Sequence, residues 1–185
     1  MRTLLDPVVR RQLAAQERAL GGVSLAYLRD MWRVAPRAFV AVIRARPFLG
    51  YPARGVPPAA YHVARIAATR VEDCGTCVQT AVHLARAAGV PPAVIRAAAL
   101  GAPEALPADL SAVYRFATAV AQADTAATEA ERPALRARFS EHGLVTLAIA
   151  IAGARTFPAL KRALGHATSC ERLALEFDAP TQAAC

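Results

Sequence analysis

The chain has 185 residues, 55% of them hydrophobic and 19% charged, which is enough for one domain with a sizeable core and too apolar for a disordered chain. The formal charge is +8, and Lys161 is the only lysine among 22 basic residues. The excess lies in residues 1–70, where 12 arginines face only Asp6, Glu17 and Asp30, and no basic–aromatic recognition motif accompanies it, so it reads as a solvated or intersubunit surface rather than a nucleic-acid site.

Taken in chain order, the pattern is helical almost throughout. Leu13, Leu20, Leu25, Leu28, Met31 and Trp32 recur near helical spacing, Pro36 interrupts, and Ala38 to Arg46 resumes the pattern. Trp32 and Phe39 stand among arginines, an arrangement that suits either a membrane surface or packing on the core or on another subunit. A loop rich in proline and glycine, Pro47 to Pro58, leads to a helix over Ala59 to Val71. Glu72-Asp73 breaks that helix, and Asp73 is placed to cap the next, Cys74 to Ala88, which Gly89 ends in the left-handed conformation. Pro91-Pro92 starts a helix to about Leu100, and Gly101 to Pro107 is a loop. Helices are expected over Ala108 to Gln122, Glu129 to Glu141, Leu144 to Arg155, from Pro158 to Gly165, and over Ala167 to Phe177.

No period-2 strand is found, so the fold class expected is all-α in a single domain, 1–185: basic N-terminal helices and a loop over 1–58, a core over 59–177, and a loose tail over 178–185. The uncharged run Leu144 to Ala154 is far short of the roughly 20 residues of a membrane span and is expected to be a buried helix. Arg10 and Arg11 come too early for a signal peptide, which leads to the expectation of a cytoplasmic protein.

Cys74-Gly75-Thr76-Cys77 concentrates the reactive groups. Helical spacing puts both thiols on one face, where they can form a disulfide, hold a metal or pass electrons. A thioredoxin-type reading needs strand–helix alternation around the motif, and a covalent haem site needs histidine where Val78 stands. In the first turn of a helix, exposed amides and the dipole stabilise a thiolate, whereas Glu72 and Asp73 oppose it or act as proton acceptors. A zinc site built from Cys74, Cys77, His166 and Cys170 is the main competitor, although its two halves are far apart in sequence.

The run Cys74-Gly75-Thr76-Cys77-Val78-Gln79-Thr80-Ala81-Val82, with Ala85-Arg86-Ala87-Ala88-Gly89-Val90 after it, resembles the core of the carboxymuconolactone decarboxylase and alkylhydroperoxidase D superfamily. The resemblance covers about Tyr61 to Leu100, and extends weakly through Tyr114-Arg115-Phe116 and Leu160 to Gly165. It implies an alkylhydroperoxidase D-like helical bundle assembled as a trimer or hexamer. It also implies a peroxidase or thiol–disulfide oxidoreductase whose Cys74–Cys77 pair reduces a peroxide or disulfide substrate and is re-reduced by a lipoyl-type dithiol or a reductase protein. No cofactor or metal is implied. A decarboxylase-like or non-catalytic oligomer is the alternative, since the decarboxylase branch lacks the dithiol. The redox branch carries a relay histidine four residues after the second cysteine, where this chain has Ala81. His83 does not replace it simply, lying about 240° round a helix from Cys77 and about 180° from Cys74. The family's glutamate twelve residues before the first cysteine is His62 here, which is therefore the substitute base expected, with Glu72 behind it.

Overall fold

A computed structural model describes the chain from Arg2 to His166. Among the described residues there are nine α-helices and one 3₁₀ turn, and no strand. The helices are α1 (Arg2–Ala19), α2 (Ala26–Val34), α3 (Pro36–Arg44), α4 (Arg46–Leu49), α5 (Pro58–Val71), α6 (Gly75–Ala87), α7 (Pro92–Leu100), α8 (Ala108–Gln122) and α9 (Thr125–Ala163), with the 3₁₀ turn at Pro103–Ala105. The expected helix over Ala167 to Phe177, with Cys170, the tail and Cys185, lies outside the described residues.

The centre of the main core is α5, which packs on α6, α7, α8 and α9. Its Ala60, Val63, Ala64, Ile66, Ala67 and Ala68 are all buried. Alanine allows this because it brings helix axes close together without ordering a long side chain. Val113 and Ala117 of α8 and Leu147, Ala150 and Ile151 of α9 close the same core. A second, smaller cluster forms within the N-terminal helices, from Leu13, Leu25, Tyr27, Leu28, Trp32 and Phe39. There Trp32 and Phe39 meet edge to face at 5.3 Å, and Trp32 Nε1 donates to Asp6 Oδ1 at 3.0 Å. These aromatics therefore face inward and do not form a membrane-facing surface.

Several helix boundaries differ from the sequence expectation. Asp73 does not cap α6. It takes a left-handed conformation (φ 47°), which an aspartate tolerates better than most residues, and turns the chain out of α5. The cap position passes to Cys74, whose backbone is extended (φ −127°, ψ 92°). Part of the Pro47 to Pro58 loop belongs to the short helix α4. Of the three helices expected between Glu129 and Gly165, the first does end close to Glu141, at a kink at Ser140 (φ 64°, ψ 176°), whereas the second and third are continuous through Pro158; the whole stretch is α9. Its start is set by Asp124, whose Oδ1 accepts from the Ala127 amide at 3.0 Å. Gly89 does end α6 as expected (φ 73°), with the Val90 amide bonded back to the Ala85 carbonyl at 3.1 Å.

Of the described helices only α9 is long and apolar enough to cross a membrane, and half of its most apolar window is buried inside the protein. It is the wall against which α5 and α8 pack. The loop before α5 is pinned to it, because Thr146 Oγ1, fully buried, donates to the Arg54 carbonyl at 2.7 Å. At Gly143 the approach is closer still: a Cβ there would stand 2.9 Å from the Gly55 carbonyl oxygen and 3.1 Å from Val56 Cγ1. Helix propensity alone favours alanine over glycine by about 1 kcal/mol. Gly143→Ala is nevertheless expected to destabilise the fold, by about 1–3 kcal/mol of overpacking. Urea unfolding of the variant checks this, and an unchanged or raised midpoint contradicts it.

Candidate functional site

The dithiol sits where α5 hands the chain to α6. Cys74 is the N-cap and Cys77 lies in the first turn, with Cα atoms 5.2 Å apart and the two sulfurs at disulfide distance. The Cys74 carbonyl accepts from the Cys77 amide at 2.9 Å and from the Val78 amide at 3.0 Å, so the turn is formed around the pair rather than opened by it. Both residues are buried, Cys74 at 2% exposure and Cys77 at 8%. The difference in setting matters more than those numbers. Cys77 opens onto a cavity of about 650 Å³, and Cys74 does not line it.

Cys74 instead faces a polar chain that comes from α9. Lys161 Nζ donates to Thr76 Oγ1 at 3.0 Å, and Thr76 Oγ1 is 3.5 Å from Cys74 Sγ. In the disulfide the Cys74 sulfur carries no hydrogen, so the Thr76 hydroxyl is the donor of that contact; in the reduced pair either atom can donate. Lys161 is buried at 5% exposure and stands 5.4 Å from the Tyr27 ring centre, within cation–π range. The same burial pushes the Tyr27 hydroxyl pKa upward. Lys161 is not among the site residues that the sequence points to. The available signal was its being the one lysine in a chain that otherwise uses arginine, since the two cations differ at buried sites.

Glu72 is the last residue before the turn, and it is buried. Its Oε1 accepts from Arg155 Nε at 2.6 Å and its Oε2 from Arg162 Nη1 at 3.3 Å, while Arg162 Nη2 also donates to the Glu72 carbonyl. Both carboxylate oxygens are thus engaged by α9. The visible effect is to tie the segment leading into Cys74 to the helix that carries Lys161.

His62 lies on α5, half-buried, with its ring against Tyr61 at 5.2 Å. It is not among the residues lining the cavity onto which Cys77 opens; from the same helix Arg65 and Thr69 do so. Its buried Nδ1 meets no hydrogen-bond partner among the described residues. Burial, helped by the charge of Arg65, lowers its pKa from the ordinary 6.5 to about 4. A pH limb near 6.5, expected for an unperturbed imidazole, therefore moves down to about 4. The proton then favours the unfolded chain: stability is full above about pH 6.5, falls as the pH drops towards 4, and levels below it. His62→Gln is expected to remove that part of the slope. Urea unfolding at pH 8 and pH 5 (each about one and a half units from a normal imidazole) checks it. An equal loss in variant and parent contradicts it.

His83 is half-buried and points towards the N-terminal helices, not to the sulfurs. Its Nε2 is 3.3 Å from Gln79 Nε2, and its ring covers Gly21, in the turn after α1. Gly21 has φ 69°, and a Cβ there would collide with the imidazole, so a glycine is required on both counts. As for the zinc arrangement, His166 Nε2 pairs with Asp30 Oδ2 at 3.0 Å, and Cys170 is outside the described residues. No group of three or more His, Cys, Asp or Glu side chains suited to a metal occurs among the described residues.

Comparisons of the chain with protein-family models, with curated proteins and with solved structures give no match.

Proposed function

We propose that the chain is a thiol–disulfide redox enzyme, of the alkylhydroperoxidase D-like kind that its Cys-x-x-Cys segment resembles, and that it reduces a hydroperoxide. The observation that carries this reading is the setting of the two sulfurs: paired at the head of one helix, one opening on a cavity and the other on a buried ammonium–hydroxyl chain. Cys77 is the attacking thiolate. It takes the distal oxygen of ROOH as the O–O bond breaks, and the proton lost by the Cys77 thiol goes to the departing alkoxide, giving ROH and a Cys77 sulfenic acid. The Cys74 thiolate then attacks that sulfur and closes the disulfide, and the departing hydroxide takes the proton lost by the Cys74 thiol and leaves as water. A dithiol reductant, of the lipoyl type implied by the resemblance, reopens the pair by exchange and leaves as its own disulfide.

The proton chemistry is divided among the residues at hand. With alanine at position 81, the family's relay histidine has no counterpart there. The Lys161–Thr76 chain supports a thiolate at Cys74, together with the amides of the first turn of α6. His62 and Glu72, expected as proton acceptors, stand in this reading as a neutral imidazole in the wall of the core and a carboxylate that fixes the turn. A reductant-dependent enzyme of this kind belongs in a reducing compartment, in keeping with a cytoplasmic location.

The test of the reading is turnover: catalytic amounts of protein should oxidise dihydrolipoamide in the presence of an organic hydroperoxide. No turnover with any dithiol tried would leave the pair without this function. The assembly expected is a homo-oligomer, a trimer or hexamer by resemblance, and exposed Phe48, Leu84, Leu100 and Val145 supply apolar surface for it. Light scattering at micromolar concentration should give a multiple of the 19.5 kDa chain. A monomer would contradict the expectation.

A further inference from the structure

The cavity beside Cys77 lies between the two hydrophobic clusters. On one side it is walled by Leu25, Leu28, Val42 and Ile43 of the N-terminal helices, and on the other by Leu84 and Phe157 of α6 and α9. Three of its lining residues are cations, Arg46, Arg65 and Lys161, and none is acidic. Lys161 donates to Thr76. Arg65 is half-buried, and its Nη1 donates to Tyr61 Oη at 3.3 Å. Arg46 is exposed and makes no ion pair among the described residues. An apolar space of about 650 Å³ is of the size that holds small molecules, roughly 300–1,000 Å³. An acid-free set of cations at such a space selects for a negative charge on an otherwise apolar ligand.

We infer that the cavity binds an amphipathic monoanion, an aliphatic carboxylic acid, with the carboxylate held by the lining arginines Arg46 and Arg65 and the chain along Leu25, Leu28, Val42 and Ile43. For its chemistry the inference rests on the peroxidase reading: the substrate class is then the hydroperoxide of an aliphatic carboxylic acid, which Cys77 reduces to the hydroxy acid as its own sulfur is oxidised. The binding itself does not need the redox step. It also gives the basic N-terminal third a role, since α1 to α4 complete the cavity over α6.

The two claims separate in a variant that cannot turn over. In Cys74→Ser/Cys77→Ser, calorimetric titration with dodecanoate, dodecanol and dodecyltrimethylammonium compares one chain length under three charges. Dodecanoate should bind at least about tenfold more tightly than dodecanol, a difference of about 1.4 kcal/mol, and the cation should not bind measurably. Arg46→Gln/Arg65→Gln added to that variant should bring dodecanoate to within about twofold of dodecanol, without weakening the alcohol. Equal binding of acid and alcohol, binding of the cation, or no binding of the acid overturns the inference. None of those results bears on the redox chemistry, which turnover of the parent protein with dihydrolipoamide decides separately. Conversely, absent turnover with intact charge selectivity removes the peroxidase and keeps the anion site.

Discussion

Cys77→Ser is expected to bring hydroperoxide consumption down to the uncatalysed rate, because the proposed acceptor of the peroxide oxygen is gone. Cys74→Ser should behave differently. Its Cys77 still meets peroxide from the cavity, so one equivalent is consumed and the sulfenic acid persists, there being no second thiol to close on it. A sulfenic-acid trap such as dimedone should therefore label Cys74→Ser and not Cys77→Ser. The expected asymmetry rests on the cavity, which Cys77 lines and Cys74 does not. Labelling of Cys77→Ser in place of Cys74→Ser would reverse the roles and contradict the geometry.

The second large effect is expected at Lys161. Lys161→Met keeps the length and most of the volume of the side chain while removing the ammonium that polarises Thr76. Closure of the disulfide after sulfenic-acid formation should slow by about a hundredfold at neutral pH, the scale of a lost proton-transfer or charge-stabilising partner. The loss should shrink as pH rises, because hydroxide then does what the ammonium did for the Cys74 thiol. Thr76→Val should reproduce the defect and Thr76→Ser should not, since serine retains the hydroxyl 3.5 Å from Cys74 Sγ. The double variant Lys161→Met/Thr76→Val should be no slower than either alone, as one chain is being cut twice. A pH-independent loss, or additive defects, would mean that Lys161 only supports packing around Tyr27.

Much of the helical framework was legible because its signals are local. Gly89 and the prolines at 91 and 92 mark chain reversals that any helical neighbourhood would need, and the bounds of α5, α6, α7 and α8 follow to within a residue. What was not legible depends on partners distant in sequence. Asp73 has the chemistry of a cap, but the geometry of the turn out of α5 gives that position to Cys74. Pro158 reads as a helix start, yet packing of α9 on the core carries the helix through it. At Ser140 nothing in the side chain announces a positive φ. The Lys161–Thr76 contact spans 85 positions, and the Glu72–Arg162 pair spans 90, so neither lies within reach of a spacing argument. His62 was chosen by its place in the motif, and burial decided its titration. The cavity could not be foreseen, because it exists only where the N-terminal cluster and the main core meet.

The central claim is that Cys74 and Cys77 act as one redox pair. It is met most directly by intact-mass and peptide mapping of the reduced protein, alkylated before and after one equivalent of an organic hydroperoxide. The expected result is loss of two alkylation sites, a mass two hydrogens lower before labelling, and a peptide in which Cys74 and Cys77 are joined, reversible by a dithiol. If Cys74 and Cys77 remain fully alkylated while Cys170 or Cys185 is oxidised, the pair is not the reactive centre and the account fails.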